Sequence, residues 1–173
     1  MGCDIHYVLE RKTKDGKWLG IYTTDGLPYN GPESRPLPKR RDYYFFAEIA
    51  NVRGESRHGD ARNPKGIPDD ASDLSKECVT TWGVDGHSHS HLSAADFCQS
   101  WLDAYDRQTE YFHMLSAPPA TIEAWQKDLR ERVAERLEAI ARIREYPTYR
   151  LLGYENFGDQ EPPEHRVVFW FDN

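Results

Sequence analysis

Three histidines occupy alternate positions in the segment 85–91, which has the sequence DGHSHSH. Imidazole is the commonest metal ligand near neutral pH, and alternate spacing lets several rings converge on one ion when the backbone is extended. A catalytic metal also needs ligands from elsewhere in the fold, and Asp4 and His6 supply a carboxylate and an imidazole. The sequence therefore predicts a divalent metal site, zinc or manganese first, with leading ligands Asp4, His6, Asp85 and His87 and alternates His89 and His91.

Such a metal would lower the pKa of a bound water to about 7 and so make hydroxide available for hydrolysis. Arginine and lysine side chains recognise phosphate through forked or point-charge contacts. We therefore expect a metal-dependent hydrolase acting on a phosphate ester or nucleotide. Its predicted catalytic residues are His87, Asp85 and Arg53, and its predicted phosphate ligands are Arg40, Arg41 and Arg53.

Simpler interpretations of the same residues compete with this one. A polar loop and a hydrogen-bonded strand histidine would give the same pattern without a metal. Ser88 or Ser90 beside His87 and Asp85 contains the members of a hydrolase triad, but neighbours in one loop rarely reach the required geometry and no G-x-S-x-G motif is present. The aromatic run 43–46 beside the basic residues could stack nucleic-acid bases, although such rings usually belong to a core.

Composition sets the broad class of protein. The 173 residues carry a net charge of −7, which favours solubility and opposes broad binding to a phosphate backbone. No apolar stretch is long enough to span a membrane, and the three cysteines are too few and too far apart for a disulfide framework. We expect one cytoplasmic domain over residues 1–173, with either a small phosphate-containing ligand or a protein complex as its partner.

A β-hairpin is predicted at the start of the chain. Residues 3–10 have the pattern of a strand, and an Asp-Gly turn leads back through residues 18–22. Because successive side chains of a strand alternate between faces, Asp4 and His6 share one face and Cys3 lies on the other.

Three helices are predicted from apolar residues at steps of three and four. The first covers 43–50 and is capped by Asp42. The second starts after Ser93, which precedes Asp96 by three residues as in a capping box. The third extends from 120 to 145.

The rest of the chain predicts a long loop and a second hairpin. Residues 53–92 show no convincing periodicity apart from a possible short element at 78–82, and an irregular segment that long is usually functional or disordered. Strands are predicted at 149–154 and 166–172, and the apolar run 167–171 is typical of a central strand. Together these elements predict an α+β fold, with a mostly antiparallel sheet from the N- and C-terminal hairpins covered by three helices.

Scattered blocks over most of the chain resemble a family of small uncharacterised proteins from phages and bacterial genomes. The blocks are residues 1–6, 41–53, 66–72, 82 with 85–90, and 166–173. The resemblance implies no particular reaction. The candidate site residues that match the family pattern are Asp4, His6, Arg53, Asp85 and His87. His89 and His91 are particular to this sequence, so the resemblance disfavours a metal site made of all three histidines.

A phage setting opens a second class of function. In this alternative the chain is a non-enzymatic interaction protein, similar to an anti-CRISPR protein, that inhibits a host defence or nucleic-acid-processing complex. The charge of −7 permits this, but acids and bases alternate along the last predicted helix, which weakens a nucleic-acid mimic. The polar candidates would then only hold the long loop on the sheet.

Overall fold

The chain folds around one four-stranded antiparallel sheet. In the computed structural model the described residues are 2–24, 41–114, 118–142 and 164–172. The strands are Ile5–Lys12 (β1), Trp18–Thr23 (β2), His87–Ser93 (β3) and His165–Phe171 (β4), in the order β2-β1-β4-β3. The helices within these ranges are Tyr43–Ala50 (α1), Asp73–Trp82 (α2), Ala94–Met114 (α3) and Pro119–Arg142 (α4). The predicted α+β class is confirmed.

The N-terminal hairpin has the predicted arrangement. β1 pairs with β2 from Val8 opposite Thr23 to Lys12 opposite Trp18. The turn is closed by the Lys17 carbonyl, which accepts the Thr13 N–H at 2.7 Å.

β4 is a central strand, as its apolar sequence predicts. It pairs with β1 on one side and β3 on the other. The residues from Val167 to Phe171 are fully buried, because helices cover both faces of the sheet at this strand. The predicted partner strand 149–154, the adjoining loop up to residue 163 and the predicted end of the last helix at 145 lie outside the described residues.

The two faces of the sheet bury different residues. The main core lies between the sheet and helices α1 and α3, and α4 packs on α3. Aromatic side chains fill it, including Phe45, Phe97 and Phe169. On the opposite face α2 contacts β1 and β2, and Trp170 packs with Val8. The predicted alternation along β1 therefore separates a large aromatic core from a smaller second cluster.

Segment 53–92 contains two elements that its sequence did not clearly predict. α2 packs Leu74, Cys78 and Trp82 against the smaller cluster, and its buried Ser75 hydroxyl donates to the Glu10 carboxylate. β3 alternates histidine and serine, and it is extended because it pairs with β4. The short apolar stripe of α2 and the polar sequence of β3 are weak sequence signals for either element.

The predicted helix caps are confirmed. The Asp42 carboxylate accepts the N–H groups of Tyr44 and Phe45 at the start of α1. At α3 the Ser93 hydroxyl accepts the Asp96 N–H at 3.0 Å and donates to the Asp96 carboxylate at 2.8 Å. Among the described helices, none has the length and apolar character needed to cross a membrane.

Candidate functional site

Two carboxylates meet where β1 begins and β4 ends. The Asp4 N–H donates to Asp172 Oδ1 at 2.8 Å, and the Asp172 N–H donates to the Asp4 carbonyl at 3.2 Å. These bonds extend the β1–β4 ladder by one step. Asp172 was not among the residues predicted from the sequence, because its only sequence signal is its position directly after a strand. We call Cys3, Asp4, Arg41, Arg53 and Asp172 the strand-end cluster.

Arg41 binds Asp4 through a two-pronged ion pair. Its Nε donates to Asp4 Oδ1 at 3.0 Å and its Nη2 donates to Asp4 Oδ2 at 2.9 Å. A Cβ atom at Gly2 would collide with this guanidinium unless the Arg41 side chain shifted. Both carboxylate oxygens of Asp4 are therefore bound by the Arg41 guanidinium.

Arg53 is the second arginine at this end of the sheet, and its backbone is unusual. Its φ of 62° lies in the left-handed region, which non-glycine residues seldom adopt. The guanidinium donates to the Cys3 thiol, and its Cζ lies 5.8 Å from the centre of the Tyr43 ring. Among the described residues no carboxylate pairs with Arg53, and its side chain is exposed.

The thiol beside Arg53 is fully buried. Burial raises the pKa of Cys3, and the hydrogen bond from Arg53 partly offsets that rise. Cys3 is therefore a neutral thiol at neutral pH, as predicted for a residue on the core face of β1.

The loop that carries Arg53 is tied to α1 and α3. The Glu48 carboxylate is fully buried and accepts the Ser56 hydroxyl at 2.9 Å and the Arg57 N–H at 3.0 Å. Arg107 of α3 reaches the same carboxylate at 3.3 Å. These bonds fix the chain on both sides of Arg53, which is how a strained backbone persists in a folded protein.

His6 lies on the α2 side of the sheet. Its ring centroid is 4.1 Å from that of Trp82 and 6.0 Å from that of Trp170. Its Nε2 lies 3.4 Å from Asp172 Oδ2. The Asp172 carboxylate therefore contacts both predicted β1 candidates, since Oδ1 accepts the Asp4 N–H and Oδ2 lies beside the His6 ring.

His87 lies on the other side of the sheet. It pairs with Phe171 across β3 and β4, and its ring stacks on that phenylalanine at 6.1 Å between centroids. Its Nδ1 is 2.9 Å from the Ser88 hydroxyl. Ser88 has a φ of 51° and occupies a bulge in which the register between β3 and β4 shifts.

The bulge turns the next histidine toward the α2 side. The His89 ring stacks on Trp170 at 6.5 Å, and burial lowers its pKa, as does the neighbouring His87. His91 Nδ1 lies 3.5 Å from the Gly66 carbonyl, and Asp85 is exposed on a short turn. The three histidines therefore face different surroundings instead of one ion.

The predicted metal ligands are not assembled into one set. β4 separates β1 from β3, so the two ligand-bearing backbones are about 10 Å apart, twice the spacing between strands. Within the described ranges, no group of three or more histidine, cysteine or acidic side chains could hold a metal ion. The donors as arranged do not fit a metal, and the metal site stays a prediction.

The two predicted phosphate ligands within the described residues lie beside neighbouring positions whose side chains alternate between faces, and their convergence on one anion stays a prediction. Arg41 contacts Asp4 and Arg53 contacts Cys3, which are consecutive residues. Arg40 lies outside the described residues. No protein-family model, curated protein or solved structure matches the chain.

Proposed function

We propose that the chain binds a phosphate ester at the strand-end cluster and hydrolyses it. The observation that supports this is the state of Arg53, which is exposed, has a left-handed backbone and has no carboxylate partner among the described residues. Such a backbone costs free energy, and strain of this kind concentrates where function requires a side chain to be held.

Arg53 and Arg41 have different parts in this proposal. Arg53 offers the in-plane N–H groups of its guanidinium to the phosphate oxygens, because no carboxylate of the described residues neutralises it. Arg41 is already neutralised by Asp4, so it supports the site by fixing the start of β1 beside Arg53. His87, two residues beyond the predicted catalytic Asp85, remains the proposed acid or base.

A metal ion is a separate component of the proposal. Zinc or manganese would supply an activated water if present. The ligand set has to be tested by elemental analysis of protein purified without a histidine tag, for the wild type and for the His6→Ala and His87→Ala variants. Stoichiometric metal that is lost in both variants would support the prediction.

The test of function is an assay of phosphate release from p-nitrophenyl phosphate, with and without added zinc or manganese. Titration calorimetry with inorganic phosphate measures binding separately. Arg53→Ala is expected to lower turnover on the order of 100-fold, the usual effect of losing a charge-stabilising donor. Arg130→Ala removes an exposed arginine from α4 and serves as the matched control, with unchanged binding and turnover expected.

One observation favours the non-enzymatic alternative. Both oxygens of Asp4 are bound by Arg41, and Asp172 bonds to the Asp4 backbone, as expected if these polar residues only hold segments together. In that case the wild type neither binds phosphate nor releases it from the ester. That result would refute the hydrolase and leave the interaction protein as the better proposal.

A further inference from the structure

Tyr43 provides an aromatic surface directly beside the proposed phosphate ligand. It is the first residue of α1, and its side chain is 41% exposed. Among the tyrosines whose side chains the structure describes, only Tyr43 is exposed, and the other described large aromatic side chains are mostly buried or half-buried. The ring contacts Phe46, at 5.8 Å between centroids and an angle of 58°. Tyr43 therefore has a buried aromatic neighbour while much of its own surface faces solvent.

The geometry of the Arg53–Tyr43 pair leaves two surfaces for a ligand. The Arg53 Cζ lies over the Tyr43 ring at 5.8 Å, so the cation and the aromatic ring are in contact. The N–H donors of a guanidinium lie in its plane and stay available at its edge. A ligand with an anionic group at that edge and a flat ring on the exposed part of Tyr43 would use both surfaces.

We propose that the ligand is a nucleoside phosphate, whose base stacks on Tyr43 while its phosphate binds Arg53. This inference rests on the proposed function and adds the class of phosphate ester. Any of the nucleobases can stack on a tyrosine ring, because every base has a π-face. A sugar phosphate without a base would use Arg53 alone.

The experiment compares the binding of adenosine monophosphate and ribose 5-phosphate to the full chain by titration calorimetry. Because one base–aromatic stack is worth roughly a tenfold gain in affinity, we expect the nucleotide to bind about 10-fold more tightly than the sugar phosphate. Tyr43→Ala is expected to abolish this difference, because it removes the ring on which the base stacks. Tyr43→Phe retains the ring and is expected to retain the difference.

The outcomes separate this inference from the proposed function. If both compounds bind equally to the wild type, the phosphate site stands and the base-stacking inference is overturned. If neither binds, both are overturned. Circular dichroism of each variant confirms that it is folded, and Tyr43 is at the exposed start of a helix, where alanine has a high helix propensity.

Discussion

Arg53 combines a strained backbone conformation with the proposed role in phosphate binding. An L-residue in the left-handed region costs roughly 1–2 kcal/mol, and glycine largely avoids this cost. The sequence has Gly54 immediately afterwards, yet the left-handed position is occupied by the arginine. A longer side chain at a position that favours glycine is consistent with selection for binding over stability.

We therefore predict opposite effects of Arg53→Gly on stability and on binding. The free energy of unfolding should rise by up to about 1 kcal/mol, because strain is released, whereas phosphate binding should be lost. Urea denaturation and calorimetry measure the two quantities. Arg130→Gly in α4 is the matched control and should lower stability by about 1 kcal/mol, since glycine weakens a helix interior. A loss of stability in Arg53→Gly would contradict the argument.

We predict that His89 contributes to the pH dependence of the stability. Its pKa lies below the ordinary value of 6.5, first because the ring is buried and then because His87 is close. The unfolded chain therefore binds this proton more readily than the folded chain, and stability falls as the pH drops from about 6.5 toward the folded pKa. His89→Phe should flatten the decrease in the free energy of unfolding between about pH 7 and about pH 5. Equal slopes for the variant and the wild type would show that another group is responsible.

At the scale of elements, Arg166 joins β4 to β1 and to the segment before α2. Its Nε donates to Glu10 Oε2 at 2.6 Å and its Nη1 donates to Asp70 Oδ1 at 2.8 Å. Glu10 is fully buried and also accepts the Ser72 N–H at 2.7 Å, at the position that caps α2. The hydrogen bond from Arg166 also lowers the pKa of Asp70. This network adds buried polar contacts to the apolar packing that holds α2 on the sheet.

Arg166→Met should lower the free energy of unfolding by about 3 kcal/mol, because it leaves the Glu10 carboxylate buried without its cation. The double variant with Glu10→Gln should recover part of this loss, since an amide carries no charge. The matched control is Lys12→Met, which breaks the exposed pair with Glu164 and should cost less than about 1 kcal/mol. Urea denaturation measures all three, and equal losses for Arg166→Met and Lys12→Met would contradict the role of burial.

At the scale of the whole molecule, the main core joins α1, α3 and the sheet through aromatic contacts. Phe97 of α3 is fully buried, with ring centroids 5.1 Å from Phe45, 5.6 Å from Phe169 and 6.1 Å from Tyr7. The adjacent Cys98 thiol is also buried, which raises its pKa to about 12. A core shared by these elements predicts that they unfold together.

Phe97→Ala should cost about 3–5 kcal/mol, the effect of removing a buried aromatic side chain, whereas Val84→Ala should change stability by less than about 0.5 kcal/mol. Val84 is 99% exposed and is therefore a suitable control. Far-ultraviolet circular dichroism and tryptophan fluorescence should give coincident transitions if residues 1–173 form one domain. Separate transitions would contradict the single-domain prediction.

The sequence by itself determined the elements whose signals are local. Asp42 and Ser93 could be identified as caps because a helix terminus exposes backbone N–H groups that such side chains satisfy. The opposite faces of β1 followed from its period of two, and the central position of β4 followed from its apolar run.

Only the tertiary structure decided which of the candidate residues meet. Asp4 is bound by Arg41, 37 positions away, and His6 and His87 lie on opposite sides of an intervening strand. Strand order and the bulge at Ser88 set these distances, and neither has a local signal, because both depend on the pairing of backbone segments far apart in the chain. For the same reason Asp172 could be identified as a candidate only from the pairing of β4 with β1, which places it beside Asp4.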